Sequence, residues 1–399
     1  MNICIVYSAR IDLSSGGIES VCKTLVCELQ KKHNVSFYYV YTDGDYADSA
    51  FTHLKLPSQI DSENWGHAER ITKDFFQKNN IEIIWYHEQH NSCLQKLIFS
   101  AGEKDNIKIV SVFHNNPYLL FAFLRDRCAY ALFGLCERRD FLRNLLMILT
   151  YPLRYAKSIK STRDYLSGLY AYSHHLVLLS HKFVDEFSLL TRISPTDRLK
   201  VISNPIIPVE YQFEPEKKMN QILFVSRHVW WQKRMDRIIR IWKNIMNQFP
   251  DWELVILGDG PHHDDYVRLA KNLQTQRLTF VGQQSPKEYY KNAKILCMTS
   301  SWEGFGLVLT EAQQFGCVPI AYRSYSSLDD IIEDGKNGYS VTPFDEGEYI
   351  EKLTRLMKDD ELRENMARHA MQSVRKFHAD KIADEWFDLF SSLRNKEQQ

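Results

Sequence analysis

Neither sign of charge prevails in this chain: 50 Lys plus Arg meet 50 Asp plus Glu, for a formal net charge of zero. A general nucleic-acid binder needs a basic excess to meet phosphate backbones, so nucleic acid is not expected as a partner. The eight cysteines, at positions 4, 22, 27, 93, 128, 136, 297 and 317, form no Cys-x-x-Cys pair. Several fall in apolar strands, where a free Cys behaves as a small buried hydrophobe. That usage fits a reducing, cytoplasmic compartment and no zinc site. No run of eighteen apolar residues exists, so no spanning helix is expected. The chain opens directly on the strand-like Met1–Tyr7, with no basic segment followed by an apolar one, and no signal peptide is expected. Internal repeats and low-complexity tracts are also missing.

What remains is ordinary globular material, 44% hydrophobic and 25% charged over 399 residues, enough for two or three domains with large cores. Thirteen residues organise it, Thr299 to Glu311, reading Thr-Ser-Ser-Trp-Glu-Gly-Phe-Gly-Leu-Val-Leu-Thr-Glu. The apolar run Ile295–Met298 before them reads as a buried parallel strand. Ala312–Gly316 after them reads as a helix stopped by glycine. The stretch is therefore a strand-to-helix loop turning at Gly304 and Gly306. Such a loop exposes backbone N–H groups where an anion is stabilised. Glu303 sits in the loop and Glu311 about two turns on, roughly 10 Å away at 1.5 Å per residue. A sugar joined through phosphates to a ribose has hydroxyls at both ends and anionic charge between.

Strand-like runs alternate with helical ones along the whole chain. Ile3–Tyr7, Val35–Tyr41, Ile81–Tyr86, Ile107–Phe113 and His175–Leu179 form a first series, with a helix over Glu63–Lys78. A second series follows at Gln221–Val225, Trp252–Leu257, Leu278–Gly282, Ile295–Met298 and Gly316–Ala321. Strict alternation implies doubly wound parallel sheets, with ligands at the carboxyl ends of the strands. Gly16-Gly17 precedes the first helix, where backbone can approach a ligand closely. His114 closes the strand Val110–Phe113. Arg227 and Lys233 flank the loop after Gln221–Val225; two cations there can neutralise a diphosphate. Gly258 opens the turn Gly258-Asp259-Gly260-Pro261. The polar stretch Glu210–Asn220 reads as a linker. Residues 117–172 differ from the rest, being helical, aromatic and basic, a composition suited to an anionic membrane surface.

The Glu-Gly-Phe-Gly-Leu core with its two acids resembles the signature of the family-four retaining glycosyltransferases of the GT-B fold. The resemblance implies two Rossmann-like domains facing a cleft: residues 1–205 on the acceptor side, carrying the insertion at 117–172, and residues 206–376 binding the nucleotide sugar. Residues 377–399 would return as a helix to the first domain. It also implies roles. Glu303 touches donor-sugar hydroxyls, the backbone of Gly304, Phe305, Gly306 and Leu307 approaches sugar and phosphates, and Glu311 binds the ribose. Gly16 and Gly17 contact the donor phosphates or the acceptor. His114 lies beside the donor sugar, Gly258 near the nucleotide, and residues 283–286 at the base edge. Arg227 and Lys233 occupy the family's basic pair. Lys233-Arg234 stands where many relatives have Lys-Gly, and Trp230-Trp231 is unusual.

The expected activity is transfer of a hexose-type sugar from a nucleotide-diphosphate sugar to a glycan or lipid-linked acceptor, in cell-surface polysaccharide biosynthesis. No cofactor and no metal are expected. The setting would be cytoplasmic, peripheral at the inner face of the plasma membrane. A sugar-nucleotide epimerase of related fold and a non-catalytic nucleotide-sugar-binding partner subunit stand as alternatives. A nicotinamide dehydrogenase is disfavoured, because Gly16-Gly17 is not Gly-x-Gly-x-x-Gly.

Overall fold

Short strands, most of them apolar and followed by a helix, build two separate sheets in which every pairing is parallel. The computed structural model describes residues 1–8, 17–43, 51–87, 91–118, 124–125, 128 and 141–395. Two compact units result. One holds Met1–Pro117, Lys160–Ile207 and Phe377–Gln399; the other holds Tyr118–Ile159 and Pro208–Lys376.

The sheet of the first unit comprises β1 (Asn2–Val6), β2 (Ser36–Tyr41), β3 (Thr52–Lys55), β4 (Ile83–Tyr86), β5 (Lys108–Phe113), β6 (His175–Leu178) and β7 (Leu199–Val201). Their order is β3-β2-β1-β4-β5-β6-β7. The inner strands are buried on both faces, which is why their sequences are continuously apolar rather than alternating. β3 escapes the sequence reading for the opposite reason: it pairs only with β2, and three of its four residues are exposed. An edge strand of that kind has no apolar run to reveal it.

The helix Ala379–Asn395 belongs to this unit. Phe387 stacks on His33 at 3.5 Å between centroids, and Trp386 lies 4.8 Å from Trp85. Backbone bonds from Ile206 to Phe377 (2.8 Å) and from Ala379 to Ile206 (2.9 Å) anchor its start.

The second unit contains β8 (Met219–Val225), β9 (Glu253–Leu257), β10 (Leu278–Gly282), β11 (Ala293–Met298), β12 (Val318–Tyr322) and β13 (Tyr339–Val341), in the order β10-β9-β8-β11-β12-β13. The supposed linker is packed rather than free. Tyr211 meets the Phe315 ring edge-on at 5.2 Å, and β8 already begins at Met219. Those aromatic anchors are thinly spread among charges, so composition hides them.

The insertion also divides differently from expectation. Residues Tyr118–Ile159 cluster with the second unit, where the Arg125 guanidinium lies 5.7 Å from the Phe344 ring. Lys160 onward clusters with the first. There Leu166 and Leu169 are fully buried, and the Arg163 Nε donates to the Leu190 carbonyl at 2.8 Å. Arg127, Arg138 and Arg139 lie outside the described residues.

Candidate functional site

In each sheet the strand order reverses between its first strand and a later one: between β1 and β4 in the first unit, and between β8 and β11 in the second. Loops leaving adjacent strands diverge at such a point and open a crevice for a ligand. The loops after β8 and β11 carry Arg227, Lys233 and Glu303, so the second unit's candidate residues flank its switch point.

After β8 the chain makes one short helix, Trp230–Lys233, and then starts another, Met235–Ile245. Arg234 joins them in the left-handed conformation, with φ of 48° and ψ of 45°. That conformation suits glycine and costs other residues about 1 kcal/mol. The family's glycine therefore has a backbone reason, and this chain meets the same geometry with arginine. A bidentate pair holds the side chain, Nε and Nη2 each donating to Asp236 at 2.9 Å. Trp230 stacks on Tyr266 at 4.9 Å, and Trp231 meets His262 edge-on at 4.7 Å. The paired tryptophans thus brace the loop from beneath.

The turn after β9 lies backbone to backbone with the β8 loop. The His228 N–H donates to the Asp259 carbonyl at 2.8 Å, and the His262 N–H to the His228 carbonyl at 3.1 Å. Gly258, at φ of 117°, leaves no room for a side chain: a Cβ there would sit 1.9 Å from the Ser226 carbonyl oxygen. Gly258 is thus a packing requirement of the site, whatever else it contacts.

Across the switch point, Lys233 Nζ pairs with Glu303 Oε1 at 2.6 Å, with side-chain exposures of only 16% and 9%. Backbone bonds lock the two loops, Ser301 N–H to the Gln232 carbonyl at 2.7 Å and the Thr299 hydroxyl to the Arg234 carbonyl at 2.8 Å. The sequence reading gave these two residues separate tasks; the structure brings them into one ion pair. Arg227, in contrast, is exposed, and its guanidinium makes no ion pair among the described residues.

Gly306 caps the helix Leu307–Gln313 with φ of 101°, and a Cβ there would press on the Tyr325 hydroxyl at 3.0 Å. The Gly304 carbonyl accepts from the Ser327 hydroxyl at 3.0 Å, and Phe305 is buried. The helix starts only at Leu307, so Glu311 lies about one turn inside it. Tyr290 donates to Glu311 Oε2 at 2.9 Å. Burial pushes the Glu311 carboxyl above the usual carboxylate range, and the tyrosine bond partly offsets this.

One group of possible metal ligands occurs among the described residues: His228, Asp259 and His263. Their nearest atoms are the two Nδ1, 3.0 Å apart, a distance at which the imidazoles hydrogen-bond each other directly. Burial, then the neighbouring His263, push the His228 imidazole down to about 4, so His228 is uncharged at neutral pH.

In the first unit, Gly17 has φ of 83° and caps the helix Ile18–Lys32; Gly16 lies outside the described residues. His114 directly follows β5. It is 6% exposed, and its Nε2 lies 2.7 Å from His87 Nδ1. Burial pushes His114 down to about 3 and His87 well below the ordinary imidazole value. His87 directly follows β4, and sequence reasoning missed it. The signal available was its place at a strand's carboxyl end beside the switch point.

Residues 210–373 match the family model described as glycosyl transferases group 1. The amylovoran biosynthesis glycosyltransferase AmsD of Erwinia amylovora is 30% identical over 177 residues, 44% of this chain and 49% of that protein. The N-acetyl-alpha-D-glucosaminyl L-malate synthase of Bacillus anthracis is 30% identical over 321 residues, 78% of this chain and 81% of that protein. The chain spans only 49–63% of the length of the first three curated relatives. Among solved structures, Anabaena HepE in complex with UDP and glucose superposes with a TM-score of 0.73 over 98% of this chain and 100% of that one, at 15% identity. With that likeness the fold is GT-B, two Rossmann-like α/β domains. The match to that synthase over 78% of this chain, together with the group 1 model over the second unit, places this chain in the glycosyl transferase group 1 family.

Proposed function

We propose that the chain is a retaining, metal-independent glycosyltransferase that moves a hexose-type sugar from a nucleotide-diphosphate sugar to a glycan or lipid-linked acceptor in cell-surface polysaccharide biosynthesis. The Lys233–Glu303 pair at the β8/β11 switch point carries the reading. It gathers a cation, a carboxylate and glycine-bordered backbone beside an exposed arginine, which matches a sugar diphosphate group by group.

In the proposed reaction the bond from the sugar's anomeric carbon to the β-phosphate oxygen breaks, and its electron pair leaves with the diphosphate. The acceptor hydroxyl oxygen bonds the anomeric carbon on the same face. Its proton passes to the departing phosphate oxygen. Arg227 and Lys233 stabilise the charge that gathers on the diphosphate, so they act most strongly at the transition state. Glu303 accepts from donor-sugar hydroxyls, His114 contacts the same sugar, and Glu311 accepts from ribose hydroxyls. Arriving diphosphate competes for Lys233 and frees Glu303 to turn to the sugar. No carboxylate is assigned a covalent role. No cofactor is assigned, and chelators are expected to leave turnover unchanged.

The exposed leucines 149 and 153, at 68% and 76%, adjoin exposed Arg154, Lys157 and Lys160. That pairing supports peripheral contact with an anionic membrane at the cytoplasmic face. No helix among the described residues is long and apolar enough to cross a membrane.

Titration with UDP, GDP and ADP, followed by thermal shift, tests the reading. One of the three should stabilise the protein, and Lys233→Ala should weaken that effect at least tenfold. Equal binding by the variant would remove the assignment. Conversion of the donor sugar to its epimer without any acceptor would favour the epimerase instead.

A further inference from the structure

In the second unit, a tyrosine from the helix before β11 reaches the acid on the helix after it. Tyr290, within Lys287–Asn292, donates its hydroxyl to Glu311 Oε2 at 2.9 Å. Among the described residues no donor meets the other oxygen, Oε1, and Glu311 keeps part of its surface. Tyr290 itself is 1% exposed. Its ring lies 6.1 Å from that of Phe315, tilted by 24°. Lys218 Nζ donates to the carbonyls of Tyr290, Lys291 and Ala293 at 3.0, 3.1 and 2.8 Å. Carbonyls at a helix end otherwise lack partners, so the ammonium fixes the backbone that carries the tyrosine. The Cys317 thiol also stands near Tyr290, and burial holds it neutral at about 12.

The direction of this bond is fixed. Burial, then the Glu311 charge, hold the Tyr290 phenol well above its ordinary value, so it keeps its O–H. An ionised carboxylate can only accept. Two influences act on Glu311: burial, the larger, raises it, and the Tyr290 bond lowers it. A proton on Glu311 would have to settle on Oε1, since Oε2 already receives that of the phenol. A bond to a charged acceptor is stronger than one to a neutral acceptor, so Tyr290 favours the ionised form. A buried tyrosine does not need a carboxylate for this: in the same unit Tyr349 donates to the Ile320 carbonyl at 2.9 Å. An acid whose charge is penalised by burial is a costly acceptor unless its second oxygen has a use.

We propose that Tyr290 is a positioning residue that ties down one oxygen of Glu311 and keeps its carboxylate ionised, so that the other oxygen accepts from a ribose hydroxyl of the bound nucleoside diphosphate. The ribose contact rests on the role given to Glu311 above; the tether and its effect on the charge do not. The tether also fixes the plane of the carboxylate before the nucleotide arrives, so less side-chain freedom is lost on binding.

The test uses the full chain with ¹³C at the glutamate carboxyl carbon. The Glu311 signal, assigned by its loss in Glu311→Gln, should titrate about one pH unit higher in Tyr290→Phe than in wild type. Replacing Tyr290 by 3-fluorotyrosine through amber suppression keeps the shape and donates a stronger bond, and should move the titration the opposite way. Calorimetry then compares UDP, GDP and ADP with their 2′,3′-dideoxy forms. The diphosphate that binds should favour its ribose form about tenfold in wild type. Tyr290→Phe should shrink that preference about threefold and leave the dideoxy affinity unchanged. A folded Tyr290→Phe with a wild-type Glu311 titration overturns the proposal, as does a fluorotyrosine chain whose Glu311 fails to move downward. Equal loss of affinity for the ribose and dideoxy forms also overturns it, because Tyr290 would then merely support the fold. Equal wild-type affinity for both forms would instead remove the ribose role of Glu311 alone and leave the effect of Tyr290 on its charge standing.

Discussion

The two units share a parallel-sheet architecture, yet they expose their chemistry differently. In the second unit, the candidate residues lie in loops whose glycines and charges stand out in the sequence: Gly258, Gly304, Gly306, Arg227, Lys233, Glu303. In the first unit the candidate His114 lies in a buried cluster with Cys22 and His87, two residues that pass for core in the sequence. A loop that meets a charged ligand must advertise charge and backbone freedom. A buried cluster of hydrogen-bonded rings need advertise neither.

The glycines give the sharpest contrast and the largest expected effect. Gly258→Ala places a methyl 1.9 Å from the Ser226 carbonyl at a positive φ, backbone against backbone, with no flexible end to yield. Gly17→Ala meets only the tip of Glu19 at 3.8 Å, so just its φ of 83° resists. Chemical denaturation should show a loss of about 4 kcal/mol or more for the first and about 1 kcal/mol for the second. Comparable losses would mean that the second unit's turn relaxes freely and that the contrast is not structural.

The ion pair should rank next. Lys233 and Glu303 are largely withdrawn from solvent, so removing either partner leaves the other uncompensated, at about 3 kcal/mol. Each single change to Ala should also abolish transfer. The double substitution should be less destabilised than the sum of the two, by about 1 kcal/mol or more. Additive losses in a double-mutant cycle would show that the pair is not coupled.

Acid should discriminate between the units as well. His87 and His114 have folded-state values lowered by burial, His114 to about 3, against an ordinary 6.5. The unfolded chain therefore binds more protons than the folded one below pH 6.5. The stability these rings carry is fully present above pH 6.5 and is lost as pH falls toward 3. The slope approaches about 1.4 kcal/mol per pH unit for each ring. In the second unit His228, lowered to about 4, contributes one such proton. Tryptophan fluorescence followed from pH 7 to 4 should show a shallower acid loss in His87→Phe than in wild type. An unchanged slope would indicate that His87 charges in place.

Legibility followed the same division. The alternation of strands and helices in parallel sheets could be read because inner parallel strands are buried on both faces and leave unbroken apolar runs. β3 could not, since its residues face water. The loop Thr299–Leu307 was legible because glycine and acid at fixed spacing have few other uses. The union of Lys233 with Glu303 was not, because it depends on which strands become neighbours over 70 residues of sequence. His87 was passed over because a histidine after an apolar strand has no periodicity to mark it, and its meaning lies in a contact 27 residues away.

Arg234 offers the smallest effect and the most direct check on the second unit's loop. Its left-handed φ of 48° is a conformation that glycine adopts without penalty. Arg234→Gly should recover about 1 kcal/mol of backbone strain. It should also forfeit the two bonds to Asp236, a carboxylate only 8% exposed that would be left with fewer donors. A charge-assisted pair of this kind contributes about 1–2 kcal/mol, so the two terms nearly cancel and net stability should move by less than about 1 kcal/mol. Arg234→Ala separates them, since it loses the pair and keeps the strain, and should cost about 1 kcal/mol more than the glycine variant. Asp236→Asn in the glycine background should then restore stability by relieving the stranded carboxylate. If glycine and alanine proved equal in thermal unfolding, the left-handed residue would carry no strain, and glycine at this position in relatives would need another cause.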